Sequence, residues 1–365
     1  MTRPHRVRTA SVRVLLASVF PLIVPGAQSA ALAQDLQKIT MAVGTTVIDA
    51  SQANNTSIPL YTKCWQKQGL DVTIQPINST AGMQAVLSGQ AQFVNMAPGA
   101  ALVARSKGAP IKAVYLNIRR NFQFPVVLDS SPIKSIKDFK GKTIGVISYG
   151  AVLVNIIKGQ LAEAGLDPDK DVTFVETGTG AQAIAALRSG KVDIWGTWDS
   201  QIALAQDMGL KLRVFKSPSG EKLTFGSAYF VRDDYTRSHP DVIEKVLRCV
   251  VQGTQITMAD PQGAIRAHWQ IFPASKPTGL DDAAAMKQAL ALVDMRMNYL
   301  KVDPGEKYGE TPPASAQAMV DFLRTNKQIQ GPLDPKDVYT NQFIPAANSF
   351  DPQAVQQAVA TLPKS

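Results

Sequence analysis

Cysteine and histidine are nearly missing from this chain, with two of the one and three of the other in 365 residues. That scarcity excludes the usual structural zinc sites, which draw four such ligands from closely spaced pairs. No Gly-x-Ser-x-Gly elbow, phosphate-binding loop or paired-histidine metal motif occurs, so the enzyme classes those motifs mark find no support. Basic runs are missing as well. The longest cluster is the pair Arg119-Arg120, and nucleic acid is discounted as a partner. No apolar run reaches the roughly 20 residues that a membrane-spanning helix needs.

The N-terminus reads as a leader. Arg3, Arg6, Arg8 and Arg13 make a basic start, residues 14–24 are apolar but broken by Pro21, and Ala31-Leu32-Ala33 precedes Gln34. A secretory signal peptide removed after Ala33 is therefore expected, with a membrane anchor as the alternative. No cysteine follows the cut to carry a lipid, and no adjacent arginine pair precedes the apolar stretch, which favours the general secretory route. The leader holds four arginines and no acid, so its removal takes the net charge from +9 to +5. Cys64 and Cys249 would then sit where disulfides persist, but their spacing fits no metal or redox motif. Each falls in an expected helix, over residues 59–68 and from about Asp241. Two buried free thiols are favoured over one bond.

Strand and helix alternate in abundance, and the alternation is written twice, over residues 39–96 and 143–196. Each copy opens on a lysine-led apolar run, passes through a helix ending at Gly69-Leu70 or Gly165-Leu166, and re-enters a strand as Asp71-Val72-Thr73 or Asp171-Val172-Thr173. A short alanine-rich helix then closes at Ser88-Gly89 or Ser189-Gly190. Such alternation predicts parallel sheets with helices on both faces, and two copies predict two lobes around a cleft. Beyond Asp241 the pattern is helical, with Val242, Val246 and Val250 on one stripe and further helices over 261–271, 283–299, 313–326 and 352–362. This layer is expected to wrap back over the first lobe. Residues 122–128 and 225–231 are the expected crossings between lobes, and together a hinge.

In open α/β sheets ligands bind beyond the carboxyl ends of the strands. Those ends carry Gly44-Thr45-Thr46, Asn78-Ser79-Thr80 and Ala97-Pro98-Gly99 in the first copy, and Ser148-Tyr149-Gly150, Thr177-Gly178-Thr179 and Thr197-Trp198-Asp199 in the second. The candidate ligand residues are Thr45, Thr46, Ser79, Thr80 and Pro98, then Ser148, Tyr149, Gly150, Thr177, Gly178, Trp198 and Asp199. Arg119, ahead of the outward crossing, and Gly226, at the head of the return, complete the set. Hydroxyls and free N–H groups at helix starts favour an anionic or strongly hydrogen-bonding group, although the same residues also serve as plain helix caps. Tyr149 and Trp198 offer flat walls, or else pack in the core. Arg119 and Arg120 offer a guanidinium clamp, or else lie on the surface. Asp199 is unfavourable in an anion site unless it meets a hydroxyl, an amine or an arginine, and it tilts the expectation toward an organic solute. Only His239 and His268 survive leader removal, neither at metal spacing, and no catalytic constellation is evident.

The segment Ile133-Lys134-Ser135-Ile136-Lys137-Asp138-Phe139-Lys140-Gly141-Lys142-Thr143-Ile144-Gly145-Val146 resembles the opening of the second lobe in extracytoplasmic solute-binding proteins of ABC importers, those of the sulfonate, taurine, nitrate and thiamine-precursor group. Ala186-Leu187-Arg188-Ser189-Gly190-Lys191-Val192-Asp193-Ile194-Trp195, the pair Trp198-Asp199 and the stretch 229–240 are similar to later segments of the same group. The resemblance implies a two-lobed periplasmic-binding-protein fold of type II. Residues 34–124 and 228–365 would form lobe 1, and 125–227 lobe 2. It further implies a periplasmic, monomeric, non-enzymatic receptor without cofactor or metal, which hands a small polar or anionic solute such as a sulfonate or carboxylate to a permease and its ATPase. Intracellular thiamine-pyrimidine and tetrapyrrole enzymes share the fold, and a secreted sensing subunit is a further alternative.

Overall fold

Among the described residues ten strands form two five-stranded sheets, and each of the two sequence copies supplies the core of one of them. The computed structural model describes residues 35–149, 151–222 and 225–364. The expected leader and the candidate Gly150 lie outside the described residues. In the first sheet are β1 (Gln37–Val43), β2 (Leu70–Pro76), β3 (Phe93–Met96), β4 (Ile111–Ile118) and β10 (Ser227–Arg232), in the order β2-β1-β3-β10-β4. The second holds β5 (Gln123–Leu128), β6 (Lys142–Val146), β7 (Val172–Glu176), β8 (Ile194–Trp198) and β9 (Leu212–Val214), in the order β7-β6-β8-β5-β9. In both, the first strand of the copy pairs in parallel with the next two, Met41 lying opposite Phe93 and Ile74 as Ile144 lies opposite Ile194 and Phe174. The fourth place is antiparallel and taken by a crossing strand, β10 in the first sheet and β5 in the second.

Between β1 and β2 the chain makes a 3-10 turn (Ala50–Asn55) and two short helices, α1 (Ser57–Tyr61) and α2 (Cys64–Lys67). The single helix expected over 59–68 is broken at Lys63, whose φ of 54° ends α1 and re-aims α2. The break points Cys64 and Trp65 at the C-terminal layer. Helices α3 (Ser79–Leu87) and α4 (Gly99–Ser106) complete the first copy, and α5 (Val152–Glu163), α6 (Ala181–Arg188) and α7 (Asp199–Asp207) the second. Gly89 and Gly190 take positive φ just past α3 and α6, a backbone conformation that glycine adopts at no steric cost.

After α8 (Pro218–Glu221), β10 and α9 (Asp233–Ser238) comes the helical layer: α10 (Pro240–Ala259), α11 (Pro261–Ile271), α12 (Asp282–Leu300), α13 (Pro313–Thr325), α14 (Ile344–Ala347) and α15 (Pro352–Ala360). Asp260 and Asp351 cap α11 and α15 by accepting from the N–H of Gly263 and Gln353, each with a proline at the first helical position. Val242, Val246 and Val250 of α10 are buried against Trp65, Phe93 and Tyr229 on one face of the first sheet, and Val94, Met96 and Phe230 meet Met319 and Leu323 of α13 on the other. The second sheet is sandwiched between Ile157 and Leu161 of α5 and Ile184, Leu187 and Ile202 of α6 and α7.

Two expectations need correction. Cys64 and Cys249 form a disulfide between α2 and α10, with Cα atoms 5.8 Å apart, so neither is a free thiol. The broken helix brings the two within bonding reach, a geometry that spacing in the chain cannot reveal. The C-terminal layer also does more than cover the first sheet. One side of α12 packs with Ala50 and Ile118, while its Tyr299 joins the core of the second sheet and its Arg296 bonds to α7.

Candidate functional site

The carboxyl ends of the strands deliver their loops to neighbouring places. Gly44 donates its N–H to the carbonyl of Asn95 at 2.8 Å, and Ser79 Oγ donates to the carbonyl of Gly44 at 3.2 Å, so the three loops of the first copy meet at one point. A Cβ on Gly44 would stand 2.7 Å from Ser79 Oγ and 2.8 Å from Met96 Cβ, which only glycine avoids. The halves touch where Gly99, at the start of α4, lies against the isopropyl group of Val152 at the start of α5. The crossings run side by side: Gly226 donates to the carbonyl of Ile118 at 2.8 Å, and any side chain on Gly226 would collide with the carbonyl of Arg120.

The candidate residues divide by what already holds them. Thr45 bonds within its own turn, its hydroxyl donating to the carbonyl of Val47 at 2.9 Å, while Thr46 and Thr80 are exposed and Pro98 is buried as the residue before α4. The hydroxyl of Thr177 donates to the carbonyl of Val146, Gly178 turns through a φ of 69°, and Ser148 is half-buried with its carbonyl accepting from Ala151. Trp198, half-buried, donates its indole N–H to Ser200 Oγ at 3.1 Å. Tyr149 is 59% exposed and Val47 is 62% exposed, in the loops that follow the first strands of the two copies.

Of the charged candidates, Arg119 and Asp199 are occupied, while Arg120 is exposed. Arg119 donates both guanidinium ends to Glu306, whose carboxyl is held below its usual value by that arginine. Asp199 is buried and accepts two N–H bonds at 2.7 Å from Arg296, a bidentate pair whose carboxylate is fully shielded. The guanidinium of Arg296 also lies 5.4 Å from the ring centre of Phe122. Burial works against the charge of Arg296, and Asp199 more than offsets it, so the guanidinium is held above its ordinary value. Asp49, the cap of the 3-10 turn, is pushed up by burial against the opposing pull of Ser51 and Arg296.

Three polar groups at these ends escaped the sequence reading. Arg296 lies 97 residues from Asp199, and no local pattern marks it. Glu176, the last residue of β7, accepts the N–H of Tyr149 at 2.8 Å. Asn95 Nδ2, near the end of β3, is buried without a partner among the described residues. The position of Glu176, one residue before the Thr177 loop, was the one signal available. Concavities of about 440 Å³ beside Asp260 and Arg266, and about 270 Å³ beside Tyr235 and His239, are not lined by the candidate loops. Among the described residues no acidic, histidine or cysteine cluster fits a metal ion, and no helix is long and apolar enough to cross a membrane.

Comparison with known proteins supplies the context. The model of the family described as NMT1/THI5 like matches residues 64–264, more than half of the chain. A protein of Brucella abortus strain 2308, named as a binding protein, is 25% identical over 285 residues, covering 77% of this chain and 84% of its own. The riboflavin-binding protein RibY of Chloroflexus aurantiacus is 24% identical over 265 residues, with 70% and 71% covered. A yeast enzyme, the hydroxymethylpyrimidine phosphate synthase THI13 of Saccharomyces cerevisiae, is 22% identical, with 58% and 64% covered. The periplasmic aliphatic sulphonate binding protein SsuA of Escherichia coli superposes with a TM-score of 0.62 at 18% identity over 83% of this chain and 91% of its own. That last likeness is one of fold, and it matches the two-sheet α/β architecture.

Proposed function

The chain belongs to the NMT1/THI5 like family, and on that premise we propose that it is a solute-binding receptor of an ABC importer, working in the periplasm. A small organic solute is captured between the halves and delivered to the permease and its ATPase, with no bond made or broken. The observation that carries this reading is the duplicated β-α-β core, its two sheets linked by crossings at Ile118–Arg120 and Gly226, by α12, and by the contact of Gly99 with Val152. Lobe 1 is residues 34–124 and 228–365, lobe 2 is 125–227, and binding selects the closed arrangement because both lobes contribute contacts only there. The working form is a monomer. Thr45, Ser79, Ser148 and Trp198 supply hydrogen bonds and a wall to the cleft, and the pairing of Asp199 with Arg296 holds α7 in place behind them.

A binder rather than an enzyme is supported by the names of the Brucella and Chloroflexus relatives, although the yeast relative is an enzyme, and by the spent nucleophiles. Both cysteines are in the disulfide, and His268 is buried against Ser57 Oγ at 2.8 Å in the core. The test is a thermal-shift screen of residues 34–365, unfolded and refolded to strip carried-over solute, against sulfonates, nitrate, carboxylates, amino acids and pyrimidines. A true solute at a hundredfold excess over its Kd stabilises by about 2.7 kcal/mol. Saturable stabilisation by one chemical class, with no turnover of it, supports the receptor; conversion of the solute to product would replace that reading with an enzymatic one.

A further inference from the structure

One guanidinium of the helical layer faces two carboxylates that belong to different halves. Arg296 of α12 donates to both oxygens of Asp199, the first residue of α7 in the second half. Asp49, in the first half, caps the 3-10 turn after β1. Ala50 beside it packs in one cluster with Val293 and Met297, which stand one turn before Arg296 and one residue after it. Asp49 is half-buried, and its Oδ1 accepts from the N–H and the hydroxyl of Ser51, while Oδ2 has no hydrogen bond among the described residues. Arg296 acts on Asp49 through space, opposing the upward push of burial on its carboxyl, and Asp49 joins Asp199 in stabilising the guanidinium. Two negative charges thus share one positive charge. Whichever carboxylate the guanidinium does not bond is left the less compensated, and here that is Asp49.

Helix α12 meets the two halves with different chemistry. Toward the first half it buries Ala289, Val293, Met297 and Leu300 with Ile118 and Ile265. It meets the second half through the pair of Arg296 with Asp199, through Gln288 Nε2, which donates to Asp207 Oδ2 at 2.9 Å, and through the half-buried ring of Tyr299. Partners of an ion pair regain hydration when both are exposed, whereas apolar area does not. The seam between α12 and α7 is therefore the one to open when the halves part, and α12 stays with Asp49. We propose that Arg296 is a two-position latch, paired with Asp199 while the halves are together and passed to Asp49 when they part, so that α12 releases α7 without stranding the guanidinium. The outward crossing is tied to the same point: the carbonyl of Phe122 accepts the N–H of Asp199 at 3.0 Å, and its ring centre lies 5.4 Å from Arg296. This rests on the receptor reading in one respect, that the halves move, and it adds the element whose two arrangements bias them.

The experiment is pulsed dipolar spectroscopy on the refolded, solute-free chain of residues 34–365. Nitroxide labels go on Gln84→Cys of α3 and Ala185→Cys of α6, exposed positions in the two halves. The native cysteines are bonded to each other and take no label. Asp199→Asn leaves Asp49 as the one carboxylate of the three groups, and is expected to shift the distances toward longer separation. Adding Asp49→Asn removes the second seat and should take that shift back. Where Asp199→Asn does not fold, Arg296→Lys, which keeps the charge but loses the bidentate fork, is expected to give the same shift in smaller measure, again reversed by Asp49→Asn. Distances unmoved by Asp199→Asn and by Arg296→Lys overturn the latch, and an equal shift with and without Asp49→Asn overturns the role of Asp49. The receptor is judged apart, by the thermal-shift screen: a solute that binds while the distances stay fixed in every variant sinks the latch alone, and the expected shifts without any solute sink the receptor alone.

Discussion

Arg296 and Asp199 hold one another through two bonds of 2.7 Å in a setting where the carboxylate is wholly shielded from water. Such a pair adds little beyond what two well-packed apolar residues would, but removing one partner strands the other's charge. Arg296→Met is therefore expected to cost roughly 3–5 kcal/mol, read from urea denaturation, and Arg296→Met with Asp199→Leu to recover a large part of that. A loss under about 1 kcal/mol would mean that water reaches Asp199. His268 gives a pH dependence of known sign. Burial pulls its imidazole from 6.5 to about 4, so the unfolded chain binds the proton first as the solution is acidified. Stability on this account is full above about pH 6.5 and falls by roughly 3 kcal/mol as the pH drops toward 4. Urea midpoints across that window should fall with acid in the wild type and flatten in His268→Leu; an equal slope in the variant would assign the acid sensitivity to other groups.

Among the elements, the disulfide and the crossings are the places where one change acts on two segments. The bond joins α2 to α10 across 185 residues of chain, and Cys64→Ala with Cys249→Ala is expected to lower stability by roughly 2–5 kcal/mol. Mass after alkylation, before and after reduction, checks that the bond is present in the purified protein. Gly226→Ala drives a methyl group into the carbonyl of Arg120 and should cost roughly 1–3 kcal/mol, with the crossings splayed; an unchanged melting temperature would show that they yield freely. The elements were largely legible in the chain. Period and caps marked α11 at its observed bounds, α15 from its start, and both crossing strands to within two residues, because those signals are local. The broken first helix, the disulfide and the reach of α12 to α7 were not legible. Each depends on contacts between residues far apart in the chain, 97 positions for Arg296 with Asp199 and 185 for the disulfide, or on a left-handed turn at Lys63 that no glycine or asparagine announces. The loops chosen do follow the expected strands, yet which of their groups were already bonded was beyond the strand-end rule.

At the scale of the molecule, α12 ties the halves together, touching the 3-10 turn beside β1 on one side and α7 on the other. Residues 36–365 are therefore expected to melt in one calorimetric transition, and Arg296→Met to broaden it; two resolved peaks in the wild type would show that the halves unfold independently. The nesting of the strands has a consequence for the order in which the protein is made. In the first sheet β3 and β4 never pair with each other; both bond to β10, which is synthesised after every strand of the second sheet. A chain emerging N-terminus first can complete its second sheet from contiguous sequence while the first stays open, with β4 unpaired, until residue 232 has appeared. Vectorial synthesis thus holds the larger half back from its native form to the last, and a nascent chain so delayed remains open to chaperones and threadable for longer than its sequence order suggests.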